Sequence, residues 1–273
     1  MTSFKALIFY MKKTIFFMMC LFWGTLQAQI EQITPVAIDS ITVDCDRFIG
    51  TDGAKNYFYI KDNVLYKKND KTVVQYQNIA LGKISSVSFI NALRLVIFYD
   101  AFNTICIVDS QLNEIEQINF SDSDASLFAS AVGISGQNKL WVFNQLNQQL
   151  LLFDLLSKSY KTIGVPFSNG ILFCSGDFNN FQWIDKNYQW QVGSIYGNTI
   201  SNGTLEVCDA VQFINPYCLV FQKGIELFIE DKKQNKRFKI ALVEKSFKNF
   251  YYKDQILSIF TSNRITNYKL NLP

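Results

Sequence analysis

The sequence predicts an all-β fold made of repeated four-stranded antiparallel units. Apolar strands and polar turns recur with a period near 40 residues, and no stretch beyond the N-terminal leader shows the 3.6-residue periodicity of a helix. Of the 273 residues, 49 % are hydrophobic and 18 % are charged. This composition excludes a disordered chain and provides ample material for a packed core.

The composition also excludes several kinds of functional site. The chain has no histidine, which rules out Ser-His-Asp and Cys-His catalysis and His-ligated zinc or haem. The sequence has no Gly-rich phosphate loop, nucleophile elbow or paired zinc-ligand motif. We therefore predict no catalytic residue, no metal ligand and no cofactor.

Residues 1–28 are predicted to be a cleaved secretory signal peptide. The run from Thr14 to Leu26 is apolar, and the small residue Ala28 favours cleavage before Gln29. This run is shorter than the roughly 20 apolar residues that span a bilayer. The leader's only charged residues are Lys5, Lys12 and Lys13.

Three alternatives to this interpretation of the leader remain open. In the first, residues 1–10 are a misassigned extension and the natural start is Met11. In the second, the protein is a lipoprotein anchored through Cys20. In the third, the leader is not cleaved and serves as a membrane anchor. Without the leader, 23 Lys and Arg balance 23 Asp and Glu. We expect an exported bacterial protein, periplasmic or associated with the outer membrane, that is not an integral membrane protein and has no nucleic-acid partner.

One unit recurs six times along the rest of the chain. It consists of an apolar strand, a polar turn and an alternating strand, as in Leu140–Phe143 followed by Leu150–Asp154. Another strand candidate precedes each pair and outer strands follow it, which gives four strands per unit. The residues at the equivalent position of each unit are Ile60, Phe98, Phe143, Ile184, Phe221 and Phe260. They are separated by 38, 45, 41, 37 and 39 positions.

The two ends of the chain predict how the repeats close. The sixth unit ends at Pro273 after its third strand, so its outer strand is missing. Residues 32–44 precede the first unit and contain two unassigned apolar segments, 35–38 and 40–43. We expect this segment to supply the missing strand, which removes two open sheet edges.

On these features, residues 32–273 resemble the β-propeller superfamily in its six-bladed form. The chain is similar in architecture to WD-repeat and NHL propellers but lacks their signature motifs; the nearest matches are Val108-Asp109 and Phe153-Asp154. We predict a single propeller domain over 29–273, with a two-sheet sandwich as the alternative all-β fold. The predicted blades cover about 45–80, 82–120, 126–167, 170–206, 207–242, and 243–273 plus 32–44.

Several acidic residues follow strands and require an interpretation. Asp109, Asp154 and Asp231 close third strands, and this repetition favours turn caps over functional carboxylates. The segment 122–124 (Asp-Ser-Asp) offers oxygens to Ca²⁺ but lacks the Gly and the distal Glu of a calcium loop. An exposed polar loop is the favoured interpretation there.

Five cysteines remain after removal of the leader, so at least one is free or pairs with another chain. There is no C-x-x-C motif. Cys106, Cys174 and Cys218 fall within apolar strands, where a thiol usually acts as a small buried hydrophobe. A disulfide between Cys208 and Cys218, on consecutive strands of one blade, is an alternative; the fifth cysteine is Cys45.

Two groups of residues are candidates for partner binding. The fourth unit is rich in aromatic residues, including Trp183 and Trp190, and a glycan could stack on such rings. Packing in the wedge between blades is the favoured role for these aromatics. The other group is the chain's dense basic run, at a predicted hairpin turn. A solvated loop is the favoured interpretation of this run, and binding to an anionic partner is the alternative. Its residues are Lys232, Lys233, Lys236 and Arg237.

Charge is distributed unevenly along the chain. Residues 95–222 contain four Lys and eleven Asp or Glu, so the rest of the mature chain carries the compensating positive charge. In a closed ring, units five, six and one are neighbours, and a basic sector faces an acidic one. We expect this polarised rim to orient a partner and to make association slower as salt rises.

Two classes of function are consistent with these observations. The first is a non-catalytic binding or scaffold propeller of the bacterial cell envelope that recognises another envelope protein. The alternative is a carbohydrate-active enzyme, a hydrolase or lyase, that uses paired Asp or Glu side chains at the central channel. The spacing of two carboxylates in a pocket discriminates between them.

Overall fold

The computed structural model describes residues 31–52, 55–91, 94–136 and 138–271. Its strands form six sheets of antiparallel strands arranged as a ring, which confirms the six-bladed β-propeller. The predicted signal peptide, residues 1–28, lies outside the described residues. A two-sheet sandwich is excluded by this topology.

The blades follow one another along the chain, and each runs from an inner strand to an outer one. Blade one contains β3 (Arg47–Thr51), β4 (Tyr57–Lys61), β5 (Val64–Lys68) and β6 (Val73–Tyr76). Blade two contains β7 (Ser86–Asn91), β8 (Arg94–Tyr99), β9 (Thr104–Asp109) and β10 (Glu114–Asn119). Blade three contains β11 (Ala129–Ile134), β12 (Lys139–Asn144), β13 (Gln149–Asp154) and β14 (Ser159–Ile163).

The second half of the ring repeats this order. Blade four contains β15 (Phe173–Gly176), β16 (Asn180–Ile184), β17 (Gln189–Ser194) and β18 (Thr199–Thr204). Blade five contains β19 (Ala210–Asn215), β20 (Cys218–Lys223), β21 (Glu226–Asp231) and β22 (Lys236–Ile240). Blade six contains β23 (Asn249–Lys253), β24 (Ile256–Phe260) and β25 (Arg264–Lys269).

Helical structure in the described part of the chain is limited to single turns. Two 3₁₀ turns cover Ile79–Leu81 and Asp100–Phe102, and a one-turn α-helix covers Phe120–Ser123. Among the described residues, none belongs to a helix with the length and apolar character needed to cross a membrane.

The middle strands of each blade are apolar on both faces because both faces are buried. In β20, Cys218 and Val220 pack towards blade six, while Leu219 and Phe221 pack towards blade four. The same alternation around the ring produces six buried clusters, one at each junction between blades. This explains why these strands appear in the sequence as continuous apolar runs.

Polar side chains also tie neighbouring blades together. The Arg47 guanidinium donates to the backbone carbonyls of Ile84 and Ser85 at 3.1 and 3.0 Å, and so joins blade one to blade two. The Gln212 amide exchanges two 2.7 Å hydrogen bonds with the backbone of Tyr252, which joins blade five to blade six. Each tie satisfies buried polar groups and fixes the relative position of two sheets.

The N-terminal segment closes the ring, as the sequence predicts. Strand β2 (Val36–Thr42) pairs antiparallel with β25 and completes blade six. Strand β1 (Glu31–Ile33) is not predicted from the sequence and lies beside β22 as a fifth strand of blade five. The amide of Ala241 donates to the carbonyl of Ile33 at 2.9 Å.

A buried hydrogen-bond network locks this closure. The Asn267 amide in β25 donates to the Asp39 carboxylate in β2 at 2.6 Å and to the Tyr57 hydroxyl in β4 at 2.7 Å. The Ser258 hydroxyl donates to the Asn267 carbonyl oxygen at 2.6 Å. One side chain therefore joins the N-terminal strand, the last blade and the first blade.

We predict that Asn267→Ala lowers the free energy of unfolding by about 2–3 kcal/mol, because it leaves the buried hydroxyls of Ser258 and Tyr57 without their partner. Urea denaturation followed by tryptophan fluorescence measures this change. Asn263→Ala, in the exposed turn before β25, is the matched control and is expected to change the midpoint little. Equal midpoints for the two variants would contradict the role of the network.

Candidate functional site

The antiparallel order of the strands sorts the connections into two faces of the ring. Connections between consecutive blades lie at the same end as the turns between second and third strands. We call this end the loop face. The opposite end, the turn face, carries the turns between first and second strands and between third and fourth strands.

Exposed apolar side chains are concentrated on the loop face. Nine of the large hydrophobic side chains that are exposed in the described residues lie there, against four on the turn face. They extend from the connection after blade one to the connection after blade five, and we call them the apolar arc. Its members are Ile79, Phe102, Phe128, Leu146, Val165, Leu172, Val207, Ile225 and Val243.

Contacts within the loops bring members of the arc together at two junctions between neighbouring blades. A Cβ atom on Gly82 would lie 3.4 Å from the ring of Phe102, so that ring covers the connection that carries Ile79. The amide of Gln145 donates to the carbonyl of Phe128 at 2.9 Å, which places Leu146 beside Phe128. The loops are short and fixed by such bonds, so the apolar side chains are presented on a rigid support.

The central channel offers little for acid–base chemistry. Two cavities of about 540 and 460 Å³ open between the inner strands and are lined mainly by serine and by apolar side chains such as valine, isoleucine and phenylalanine. Among the described lining residues Asp100 is the one carboxylate, and it accepts hydrogen bonds from the Ser85 hydroxyl and the Ala101 amide at 2.6 and 2.7 Å. Glycoside hydrolysis requires two carboxylates across the substrate, and these cavities do not bring two together.

The two candidate tryptophans lie at different junctions. Trp190 is completely buried between blades four and five, where it serves the packing role that the sequence favours. Trp183 is nearly buried between blades three and four and stacks on Phe167 with ring centroids 4.1 Å apart. One face of its ring is therefore already covered.

The basic run begins on the turn between β21 and β22, as the sequence predicts, and its last two residues, Lys236 and Arg237, lie in β22. Arg237 donates to Glu230 at 2.6 Å and to Glu206 at 2.7 Å, so its charge joins blade five to the connection from blade four. Lys232 also pairs with Glu230, at 2.7 Å. Lys236 lies 5.8 Å from the ring centroid of Phe238, and Lys233 is exposed at the tip of the turn. Much of the predicted positive charge is thus compensated locally.

The carboxylates that close third strands cap turns, which confirms the sequence interpretation. Asp109 accepts from the amides of Gln111 and Asn113, and the bonds from Asn113 lower the pKa of its carboxyl. Asp154 and Asp231 accept amide bonds in their turns in the same way. Asp124 binds Ser126 and the Tyr160 hydroxyl, and no metal-ligand cluster forms among the described residues.

The five described cysteines are free thiols. The disulfide considered between Cys208 and Cys218 does not form, because they lie on opposite faces of blade five. Cys208 packs with Phe221 towards blade four, and Cys218 packs with Leu257 towards blade six. Cys106 and Cys218 are buried in strands as predicted, and Cys174 is half-buried beside the channel.

Sequence reasoning missed the apolar arc. Each member stands in a polar connection and looks like a scattered surface hydrophobe, which needs no explanation by itself. The arc can be recognised from the connections in which its residues lie, because alternate connections along the chain share one face of a propeller. Grouping the predicted loops by this alternation would have collected the nine residues.

Comparisons with solved structures agree with the fold. Virginiamycin B lyase from Staphylococcus aureus aligns at 10 % identity with a TM-score of 0.58, over 85 % of this chain and 99 % of the lyase. A chain of a mitotic checkpoint complex aligns at 8 % identity with a TM-score of 0.58, over 90 % and 95 %. A Bacteroides thetaiotaomicron protein of unknown function aligns at 12 % identity with a TM-score of 0.60, over 89 % and 74 %.

At these identities the similarity shows the propeller fold alone. One of these proteins is a lyase and another belongs to a protein assembly, so the fold does not decide the function. No protein-family model and no curated protein matches the sequence.

The buried thiols predict that stability falls in alkaline solution. Burial raises the pKa of Cys208 from 9.0 to about 11, with a smaller contribution from the nearby Asp209 carboxylate. Between pH 9 and 11 the unfolded thiol loses its proton while the folded thiol keeps it, so the free energy of unfolding decreases. Urea midpoints at pH 8, 9, 10 and 11 measure the decrease, which we expect to be smaller in Cys208→Ala. Parallel curves for the two proteins would contradict this assignment.

Proposed function

We propose that this protein is a non-catalytic binding module of the bacterial cell envelope and that it holds a protein partner on its loop face. The observation that supports this proposal best is the apolar arc, in which nine exposed hydrophobic side chains share one face of the ring. Large exposed apolar surfaces on soluble folds typically mark interaction sites.

The physical state of the arc suits recognition of a folded partner. Its loops are held by backbone hydrogen bonds and by packing against adjacent blades, so little conformational entropy is lost when a partner binds. When phenylalanine, leucine and isoleucine side chains are buried on docking, the free energy of binding becomes more favourable by about 25 cal/mol for each Å² of apolar surface removed from water. The arc is therefore suited to a partner with a complementary apolar surface.

The proposed location depends on the sequence of the leader. The three lysines, the apolar run and Ala28 support export through a cleaved signal peptide, with mature protein in the periplasm or at the outer membrane. We propose an envelope protein as the partner on this basis. A glycan is a less suitable ligand, because the Trp183 ring is stacked on Phe167 and Trp190 is fully buried.

The uneven charge of the ring is proposed to orient the partner. Blades two to four together carry an excess of Asp and Glu, and blades five, six and one together carry an excess of Lys and Arg. Arg237 and Lys232 already pair with Glu230, so we assign the long-range attraction to the whole basic sector and not to these two side chains. Association with an oppositely charged partner would slow as salt screens this attraction.

We predict that the double variant Leu146→Asp with Ile225→Asp weakens partner binding at least tenfold without lowering the melting temperature. Both side chains are 62 % exposed on the loop face, so the new charges disturb binding more than folding. The matched control is Leu156→Asp with Tyr196→Asp on the turn face, where the side chains are 79 % and 83 % exposed.

Site-specific photocrosslinking in intact envelopes provides the measurement. A photoreactive phenylalanine analogue at position 146 is expected to give a discrete protein adduct, and the same analogue at position 156 is not. The partner recovered from the adduct is then titrated against the two double variants. Equal adducts at both positions, or equal loss of affinity in both variants, would contradict the assignment to the loop face.

A further inference from the structure

A separate cavity lies between blades three and four, away from the central channel. Its volume is about 300 Å³, the lower end of the range for ligand sites. Strand ends from blade three and the loop 164–170 form one side, and the outer strands of blade four form the other. Its lining includes Phe167, Trp183, Gln191 and Thr199.

The cavity exists because this junction is incompletely filled. Its buried cluster consists of five residues, the smallest of the six clusters. Gly193 and Gly197 line the cavity from blade four, and Gly164 lines it from the covering loop. A Cβ atom on Gly193 would lie 3.2 Å from the Trp183 ring, closer than an ordinary van der Waals contact, so the glycine allows this ring to pack directly against β17.

The outer edge of blade four adjoins this cavity and lacks the usual protection of an edge strand. Strand β18 has no charged residue, whereas β10 carries Glu114 and Glu116, and β14 carries Lys161. Charged side chains on an edge normally prevent pairing with other strands. Thr199, the first residue of β18, is exposed at this edge and also lines the cavity.

Blade five shows that an outer edge of this ring accepts an added strand, even though its outer strand β22 carries three basic residues. The three residues of β1 lie beside β22, and Ile33 inserts its side chain into the buried cluster between blades five and six. The straight part of β18 is also three residues long, because its register against β17 shifts after Ser201. A segment of the same length therefore fits beside Thr199–Ser201.

We propose that β18 binds an extended peptide segment of a protein partner, which pairs with Thr199–Ser201 and places one large apolar side chain in the cavity. A residue directly opposite Thr199 has its side chain on the same face of the sheet, towards the opening. Val165, exposed on the loop that covers the cavity, would contact the flanking residue. This inference rests on the proposed function and adds the chemistry of the partner.

The lining favours a peptide side chain over a sugar. The Trp183 ring has Phe167 stacked on one face, and the residue is only 6 % exposed, so no open aromatic platform remains. The carboxylate of Asp185 already accepts bonds from the amides of Asn187 and Gln189 and from the Asn169 side chain. The apolar floor and the exposed strand edge suit an apolar side chain on a β-strand.

A phage-displayed library of random 12-residue peptides, panned on the purified mature protein, supplies the probe. We expect enriched peptides to share one large apolar residue flanked by β-branched residues. Fluorescence polarisation with one enriched, labelled peptide then gives the Kd for each variant. Thr199→Lys is expected to weaken binding at least tenfold, because it places a charge at the edge and at the mouth of the cavity.

The matched control is Val73→Lys on β6, the other outer strand without a charged residue, and it is expected to leave the Kd unchanged. The Leu146→Asp with Ile225→Asp variant is expected to retain the peptide, so the loop-face proposal and this one fail separately. Failure to enrich any peptide, or equal Kd values for wild type and Thr199→Lys, would overturn the proposal. Saturable binding of cello- or chito-oligosaccharides that Thr199→Lys abolishes would also overturn it.

Discussion

Each blade of this ring buries both of its faces, so every blade depends on two neighbours for its stability. The middle strands carry continuous apolar runs whose alternate side chains enter different junctions, as in Leu219 and Val220. A linear stack would leave two such faces in water, at a cost of about 25 cal/mol for each Å² of apolar surface. Ring closure is therefore the constraint on which the other features of the structure depend.

Closure is achieved by non-local pairing of the N-terminal segment. Strand β2 completes blade six, β1 extends blade five, and Asn267 links β2 to the first blade through Asp39 and Tyr57. These contacts join residues more than 200 positions apart in the chain. The segment thus acts on two adjacent blades, and its hydrogen bonds are placed where the ring would otherwise open.

In a closed ring, binding surfaces can form from residues that contribute little to the stability of the ring. The loops can carry exposed side chains such as Phe102 and Leu146 because the blades do not depend on them. The junction between blades three and four buries five core side chains and still leaves a cavity unfilled. Both proposed binding surfaces lie at such positions, one on the loop face and one on the edge of blade four.

The fold was more predictable than the candidate sites. Apolar runs such as Leu140–Phe143 mark the middle strands directly, and the missing outer strand of the last blade predicts closure by residues 32–44. Strand β1 escaped prediction because three residues carry no periodic pattern.

The sites depend on contacts between residues that are distant in sequence. The pairing of Arg237 with Glu206 spans 31 positions, and the stacking of Phe167 on Trp183 links a loop to a strand of the next blade. The reason for a glycine at position 193 is visible only in the structure, where the Trp183 ring packs against it.

Hydrogen exchange in a variant that lacks residues 31–42 tests the closure account most directly. The measured signal is amide protection in β12 of blade three, which lies across the ring from the closure. If all blades depend on closure, protection in β12 falls together with protection in β22 and β25, and unfolding stays a single transition. Loss confined to β22 and β25, with β12 unchanged, would contradict the account.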